Sequence, residues 1–201
     1  MVTLSLTFNF DKVQRRLIAL QEDIGRNALR SAVNKTAALG KTEMSKRIRE
    51  EFNISADKVR NKLYVRKATL AGRRFSFEAE LGSLNKKRAL NLINFVEKSV
   101  SLVQAKRRAK KGTLGQIFVK VKRTGGKKSL GPKAFIGNNG RTVFMRTGTG
   151  RLPIKAVQTI DVPQMFNTRR INAKVQVYMV RRFPEVFERE AAFYIRRFNG
   201  N

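Results

Sequence analysis

The chain has 201 residues and carries 44 lysine and arginine residues against 14 acidic ones, so its formal net charge is +30. A compact body with this charge repels itself, which predicts an acidic partner: nucleic acid, an anionic membrane or an acidic protein surface. Histidine and cysteine are both absent, which excludes disulfides, thiol nucleophiles, Ser-His-Asp triads and the usual zinc sites. The few acids are scattered and do not favour a two-metal site, so we expect no enzyme and no cofactor.

The N-terminal region predicts a strand followed by a long helix. Residues 3–10 alternate polar and apolar side chains, as in a half-buried strand. From residue 11 the apolar period changes to three and four, which predicts a helix over 11–52 with a bend near Gly40. At about 1.5 Å per residue this helix is roughly 60 Å long. The first ten residues lack the pattern of a signal peptide, and no apolar run is long enough to span a membrane.

The next segments are shorter. Ser55 is expected to cap a short helix that carries Val59 and Leu63. Residues 64–67 are expected to be extended, and residues 75–81 alternate like a strand. The apolar segment 88–96 fits either a strand or a helix, because periodicity does not separate the two in so short a run.

Residues 98–160 contain sixteen basic residues and no acid. Within them, alternation over 117–122 predicts a strand with Lys120 and Lys122 on one face and an apolar face toward the core. Residues 134–137 and 142–146 predict two strands, joined by a hairpin turn at Asn138-Asn139-Gly140. The glycines of the Thr147–Gly150 loop are interpreted as turn residues with positive φ, not as a phosphate-binding motif.

The C-terminal region predicts two helices, 164–183 and 184–198, with Pro184 in the first turn of the second. The predicted fold class is therefore α+β, with a long N-terminal helix, a small antiparallel sheet and C-terminal helices. We expect one domain over 1–201 with a mobile basic arm near 97–115, where Ser, Lys, Arg and Gly dominate.

The main anion-facing surface is predicted in the acid-free segment. Its candidate residues are Lys106, Arg107, Arg108, Lys110, Lys111, Lys120, Lys122, Arg123, Lys127 and Lys128. They face either the phosphates of DNA or an acidic protein, and a merely solvated loop is the alternative without function. The three phenylalanines of the segment, Phe118, Phe135 and Phe144, occupy strand patterns and are interpreted as core. Any nucleic-acid contact is then with the backbone and indifferent to sequence.

Residues 134–166, AFIGNNGRTVFMRTGTGRLPIKAVQTIDVPQMF, resemble the prophage minor tail protein Z family. The segments ALRSAVNKTA (28–37) and ISADKVRNKLYVRKA (54–68) are also similar to it. The resemblance implies a structural protein of a tailed phage, located in the virion after synthesis in the host cytoplasm. It further implies a place where the tail meets the head, among neighbouring neck and tail proteins.

From this resemblance and the long helix, we expect a homo-oligomeric ring of six- or twelve-fold symmetry around the DNA channel, without a membrane partner. Packaged DNA, touched through its phosphates, is one candidate for the acidic partner. The alternative is a sequence-independent nucleic-acid-binding protein of ribosomal or nucleoid type, which would bind as a monomer. A metal-dependent nuclease is disfavoured because it would need clustered carboxylates.

Overall fold

The computed structural model describes residues 2–4, 13, 15, 20, 22–71, 74–75, 80–83, 89–97 and 117–199. The α-helices of this part are α1 (Glu22–Glu51), α2 (Ala56–Arg60), α3 (Val162–Phe166) and α4 (Arg169–Asn199). Its strands are β1 (Val2–Leu4), β2 (Leu63–Arg66), β3 (Leu70–Ala71), β4 (Arg74–Phe75), β5 (Glu80–Ser83), β6 (Leu90–Asn91), β7 (Phe118–Val119), β8 (Lys128–Ser129), β9 (Ala134–Gly137), β10 (Thr142–Arg146), β11 (Ile154–Ala156) and β12 (Gln158–Thr159). The α+β prediction is confirmed.

Two compact units alternate along the sequence. Unit 1 comprises Met1–Ile48, Val59–Asn85 and Pro163–Asn201, and unit 2 comprises Arg49–Lys58 and Lys86–Val162. Residues 98–116 lie outside the described residues. The single domain and the basic arm near 97–115 therefore stay predictions.

Unit 1 is built on the two long helices. Charges favour both helix ends: Glu22 and Asp23 lie in the first turn of α1, and Arg196 and Arg197 lie in the last turn of α4, where each complements the helix dipole. Small α1 side chains and large α4 side chains share one core, whose buried members include Ala28, Ala32, Val33, Phe183, Val186, Phe187 and Ala191. Alanines on α1 leave room for the phenylalanine rings, and full burial of one such ring contributes about 1.5–3 kcal/mol.

Gly40 marks a close approach within this unit. The helix continues through Gly40, as expected for one long helix, and the bend predicted near this residue stays a prediction. A Cβ at this position would lie 2.4 Å from Sδ of Met179. Glycine is favoured at position 40 because the Met179 side chain occupies the space that a Cβ would need.

The Asn34 side chain of α1 forms hydrogen bonds to the backbone of Ala68, as a neighbouring strand would. Its Nδ2 donates to the Ala68 carbonyl at 3.1 Å, and its Oδ1 accepts from the Ala68 N–H at 2.7 Å. Both backbone groups of a residue that follows β2 are thus satisfied away from any sheet. The sheet itself has the order β1-β5-β2 and is antiparallel, with Leu63 opposite Ser83.

The predicted division of the C-terminal helical region at Pro184 was wrong. Helix α4 runs through Pro184 without ending, and the shorter α3 precedes it. Proline removes one backbone hydrogen bond and costs about 3 kcal/mol inside a helix. The apolar stripe continues on both sides of the proline, since Val175, Phe183 and Phe187 are all buried. Burial of this stripe outweighs the local penalty.

Several other predicted boundaries lie partly outside the described residues. The long helix is described from Glu22 onward, and most of residues 11–21 lie outside the described residues. The strand predicted over 3–10 is described only as far as Leu4. The strand predicted over 75–81 touches two strands, β4 and β5, with residues 76–79 outside the described part. The ambiguous segment 88–96 contains β6 followed by a 3₁₀ helix, Leu92–Phe95.

Unit 2 contains an antiparallel sheet of order β11-β10-β9. The predicted hairpin between β9 and β10 is confirmed: Asn138 and Asn139 both have φ of 51° and Gly140 has φ of 83°. Asparagine and glycine tolerate this left-handed backbone better than other residues. The Asn91 side chain fastens β10 to the 3₁₀ helix, because its Oδ1 accepts from the N–H groups of Val143 at 2.8 Å and Ile93 at 3.0 Å.

A buried carboxylate joins the two helices of unit 1. Glu190 accepts hydrogen bonds from Ser31 Oγ and Lys35 Nζ, each at 2.6 Å. Burial raises the pKa of Glu190, but the hydrogen bonds from Lys35 and Ser31 and the charges of Lys35 and Arg189 lower it. The pKa consequently lies below its ordinary value of 4.5.

The lowered pKa of Glu190 makes the stability of unit 1 depend on pH. The stabilisation is present above the unfolded-state pKa and is lost as the pH falls through the lower folded-state pKa. We expect Glu190→Gln to lower the free energy of unfolding at neutral pH by about 1.5–3 kcal/mol, the usual value of charged hydrogen bonds. Urea unfolding followed by circular dichroism, from neutral pH to well below 4.5, should show wild type and variant converging in acid. A constant difference across this range would contradict the assignment.

Candidate nucleic-acid interface

The described part of the acid-free segment, residues 117–160, carries ten basic residues. All of them are exposed except Lys120, which is half-buried. Lysine and arginine side chains without neighbouring acids in the sequence create a positive surface on unit 2. Such a surface attracts phosphates by a term that does not depend on base sequence.

The first group of predicted site residues, Lys120, Lys122 and Arg123, directly follows β7. Ile117 and Val119 are buried while Phe118 is exposed. The strand ends at Val119, so the strand predicted over 117–122 was too long. The Lys120 N–H donates to the Phe95 carbonyl at 2.9 Å, which fixes the backbone here.

The neighbouring residues are also held by their backbones. Lys122 forms an isolated bridge with Phe52, and the Arg123 N–H donates to the Glu51 carbonyl at 2.9 Å. Both side chains are exposed. The backbone of Lys122 and Arg123 is therefore fixed, and their charged side chains are accessible to solvent.

Lys127 and Lys128 differ in their surroundings. Lys127 forms an ion pair with Glu97 at 2.6 Å, so part of its charge is neutralised within the chain. Lys128 lies in β8, opposite Val119, and its side chain is exposed. Of the two, Lys128 is the better candidate for an external anion.

The other five predicted contacts lie outside the described residues. They are Lys106, Arg107, Arg108, Lys110 and Lys111. Their role as an anion-binding arm stays a prediction from charge alone.

The interpretation of three phenylalanines as core was wrong. Phe118 is 38% exposed, and Phe135 and Phe144 are half-buried. The pairing of β9 with β10 places Ala134 and Val143 on the inner face, where both are buried. Phe135 and Phe144 fall on the opposite face because side chains alternate along a strand.

Sequence reasoning missed this aromatic pair because apolar residues occupy both faces of β9. A usable signal was present in the spacing: Lys133 and Arg146 lie two positions from Phe135 and Phe144, so each shares a face with its phenylalanine. Two charged residues would have marked that face as the solvent side.

The Thr147–Gly150 loop after β10 forms a turn, but its glycines do not adopt the predicted positive φ. The Thr147 N–H and its hydroxyl both donate to the Pro153 carbonyl at 3.1 Å. Gly148 and Gly150 do not have positive φ, so that interpretation was wrong. The loop closes through the threonine instead.

Metal-binding clusters and membrane spans are not found in the described ranges. These ranges contain no group of three or more acidic side chains placed to hold a metal ion. Within the same part of the chain, no helix combines the length and the apolar character needed to cross a membrane.

Comparison with known proteins gives one clear match. The family model of prophage minor tail protein Z matches residues 11–200, which is nearly the whole chain. No curated protein and no solved structure matches the chain. The chain therefore belongs to the prophage minor tail protein Z family and is a structural component of a phage tail.

Proposed function

We propose that this protein completes the tail at the head–tail junction, where copies of the chain form a ring around the DNA channel. Family membership supports the tail, and the virion, as its place. The observation that carries the finer proposal is the acid-free segment 117–160, whose basic side chains are nearly all exposed. A ring would bring many copies of this positive surface together beside a polyanion.

The proposed contact with DNA is electrostatic. Basic side chains neutralise phosphates and release condensed counterions, so the attraction is strong at low salt and independent of sequence. A channel protein benefits from this property, since the DNA must pass through it whatever its sequence. The arm residues near 97–115 would add to the same surface.

Self-association is supported by unit 1. Val177 and Val180 lie on one side of α4 and are 68% and 38% exposed. Ala173 is one turn before Val177 and is exposed as well. Apolar side chains that a single chain leaves uncovered are typical of a surface buried by assembly. Neighbouring tail proteins and further copies of this chain are the proposed partners.

No reaction is proposed for this protein. A minor tail protein is a structural protein, and the buried Glu190 carboxylate of unit 1 accepts hydrogen bonds from Ser31 and Lys35.

Electron microscopy of phage particles that contain this chain tests the proposal. We expect density for six or twelve copies at the junction of head and tail, with unit 2 toward the channel. Particles assembled without the chain are the control, and should lack this ring. A single copy on the capsid exterior would contradict the proposal. A chain absent from particles but bound as a monomer to nucleic acid would favour the nucleoid-type alternative.

A further inference from the structure

The outer face of the β9–β11 sheet carries an aromatic pair. Phe135 lies directly opposite Phe144 in the antiparallel register. Their ring centroids are 5.7 Å apart and the ring planes differ by 27°, which is an offset stack. Two flat apolar rings thus lie side by side on the surface of unit 2.

Gly137 helps to set the position of this pair. A Cβ at Gly137 would lie 3.1 Å from two ring atoms of Phe144. The Phe144 ring therefore lies where the Cβ of any other residue type at position 137 would crowd it. Phe144 is held close to the sheet, with part of its surface exposed.

Two basic residues lie at one end of the pair. The Arg146 guanidinium lies 5.4 Å from the centroid of Phe135, which is a cation–π contact. The Arg146 N–H donates to the Lys133 carbonyl at 3.0 Å, so the two basic residues are neighbours across the strands. Both are exposed. On the other side of β10, Ile154 pairs with Arg146 and is 39% exposed.

This combination of groups fits one ligand chemistry best. Aromatic rings and the guanidinium plane both stack on nucleobases, and neighbouring cations bind the phosphates of the same strand. The bases of a duplex are already stacked on one another, so only unpaired nucleotides can use the rings. An acidic protein would need the cations but not the stacked pair.

We propose that this face binds unpaired nucleotides of single-stranded DNA. Bases stack on Phe144, Phe135 and the Arg146 guanidinium, and Lys133 neutralises a neighbouring phosphate. The proposal rests on the proposed function in one respect, that unit 2 faces DNA. It adds a preference for single strands, which phosphate contacts alone do not give.

Titration by fluorescence anisotropy tests this preference. The probes are a labelled oligothymidylate and a duplex of the same length, and the variants are Phe144→Leu and Phe144→Tyr. We expect the leucine variant to bind the single strand roughly tenfold more weakly, because stacking of a base on an aromatic ring is lost. Duplex affinity should not change. The tyrosine variant keeps the ring and should bind the single strand like wild type.

A matched control is available on unit 1. Phe193 of α4 is 48% exposed, and Phe193→Leu should leave both affinities unchanged. Thermal unfolding of each variant reports whether the sheet is intact. Equal binding of the single strand by wild type and Phe144→Leu would overturn the proposal, and so would an equal loss for both probes.

The two proposals fail in different experiments. If the ring is found at the head–tail junction but Phe144→Leu does not affect single-strand binding, only the stacking proposal is wrong. If the single-strand preference depends on Phe144 but the chain is absent from the junction, the proposed function is wrong. If Phe144→Leu binds the single strand like wild type but is not incorporated into particles, the face contacts protein, and the stacking proposal is wrong.

Discussion

Replacing Phe187 by alanine is expected to lower the free energy of unfolding of unit 1 by about 3–5 kcal/mol. Phe187 is completely buried, and its ring lies 6.4 Å from that of Phe183, centroid to centroid. Truncation removes the ring and leaves a cavity between α1 and α4, because rigid helices do not close fully around the space. Few other single changes in this chain should have so large an effect on stability.

Urea unfolding followed by far-ultraviolet circular dichroism measures this change, since the two long helices dominate the signal and most of their residues belong to unit 1. The control is Phe193→Ala on the same helix. Phe193 is 48% exposed, so the same truncation should have a much smaller effect than at the fully buried Phe187. Equal losses in the two variants would show that the helix, rather than the core, determines the cost.

Changing Lys122, Arg123 and Lys128 together to serine is expected to reduce the salt dependence of DNA binding. Each phosphate contact contributes roughly 0.9 to the slope of log affinity against log salt concentration, so three lost contacts lower the slope by about 2.7. The fold should persist, because all three side chains are exposed. The measurement is a titration at several salt concentrations with two duplexes of unrelated sequence.

A triple variant of equal charge on unit 1 is the control for this experiment. Lys174, Arg181 and Arg197 are exposed on α4, and their replacement by serine should change the slope little. Equal slopes in wild type and in the unit 2 variant would contradict a phosphate contact by these residues. A strong preference for one duplex would favour a sequence-reading protein instead. The same design extends to the arm residues Lys106–Lys111.

Composition and local pattern were sufficient for much of this protein. The lack of histidine and cysteine excludes whole classes of chemistry, because those reactions need side chains that the chain does not contain. The asparagine–glycine turn between β9 and β10 was predictable because its backbone conformation depends on the residues within the turn. The family was predicted by the resemblance of residues 134–166 to it, and the family match extends over residues 11–200.

Tertiary structure decided what local pattern leaves open. Pro184 signals a helix start in the sequence, but the burial of Phe183 and Phe187 on one stripe keeps α4 continuous. Phe135 and Phe144 are large apolar residues of the kind found in cores. The strand register places them on the outer face of the sheet, whereas Ala134 and Val143 are buried on the inner face. For α4 the deciding free energy comes from packing against α1, a segment distant in sequence. An apolar residue in a strand is able to be buried. Whether it is buried depends on its partners across the sheet.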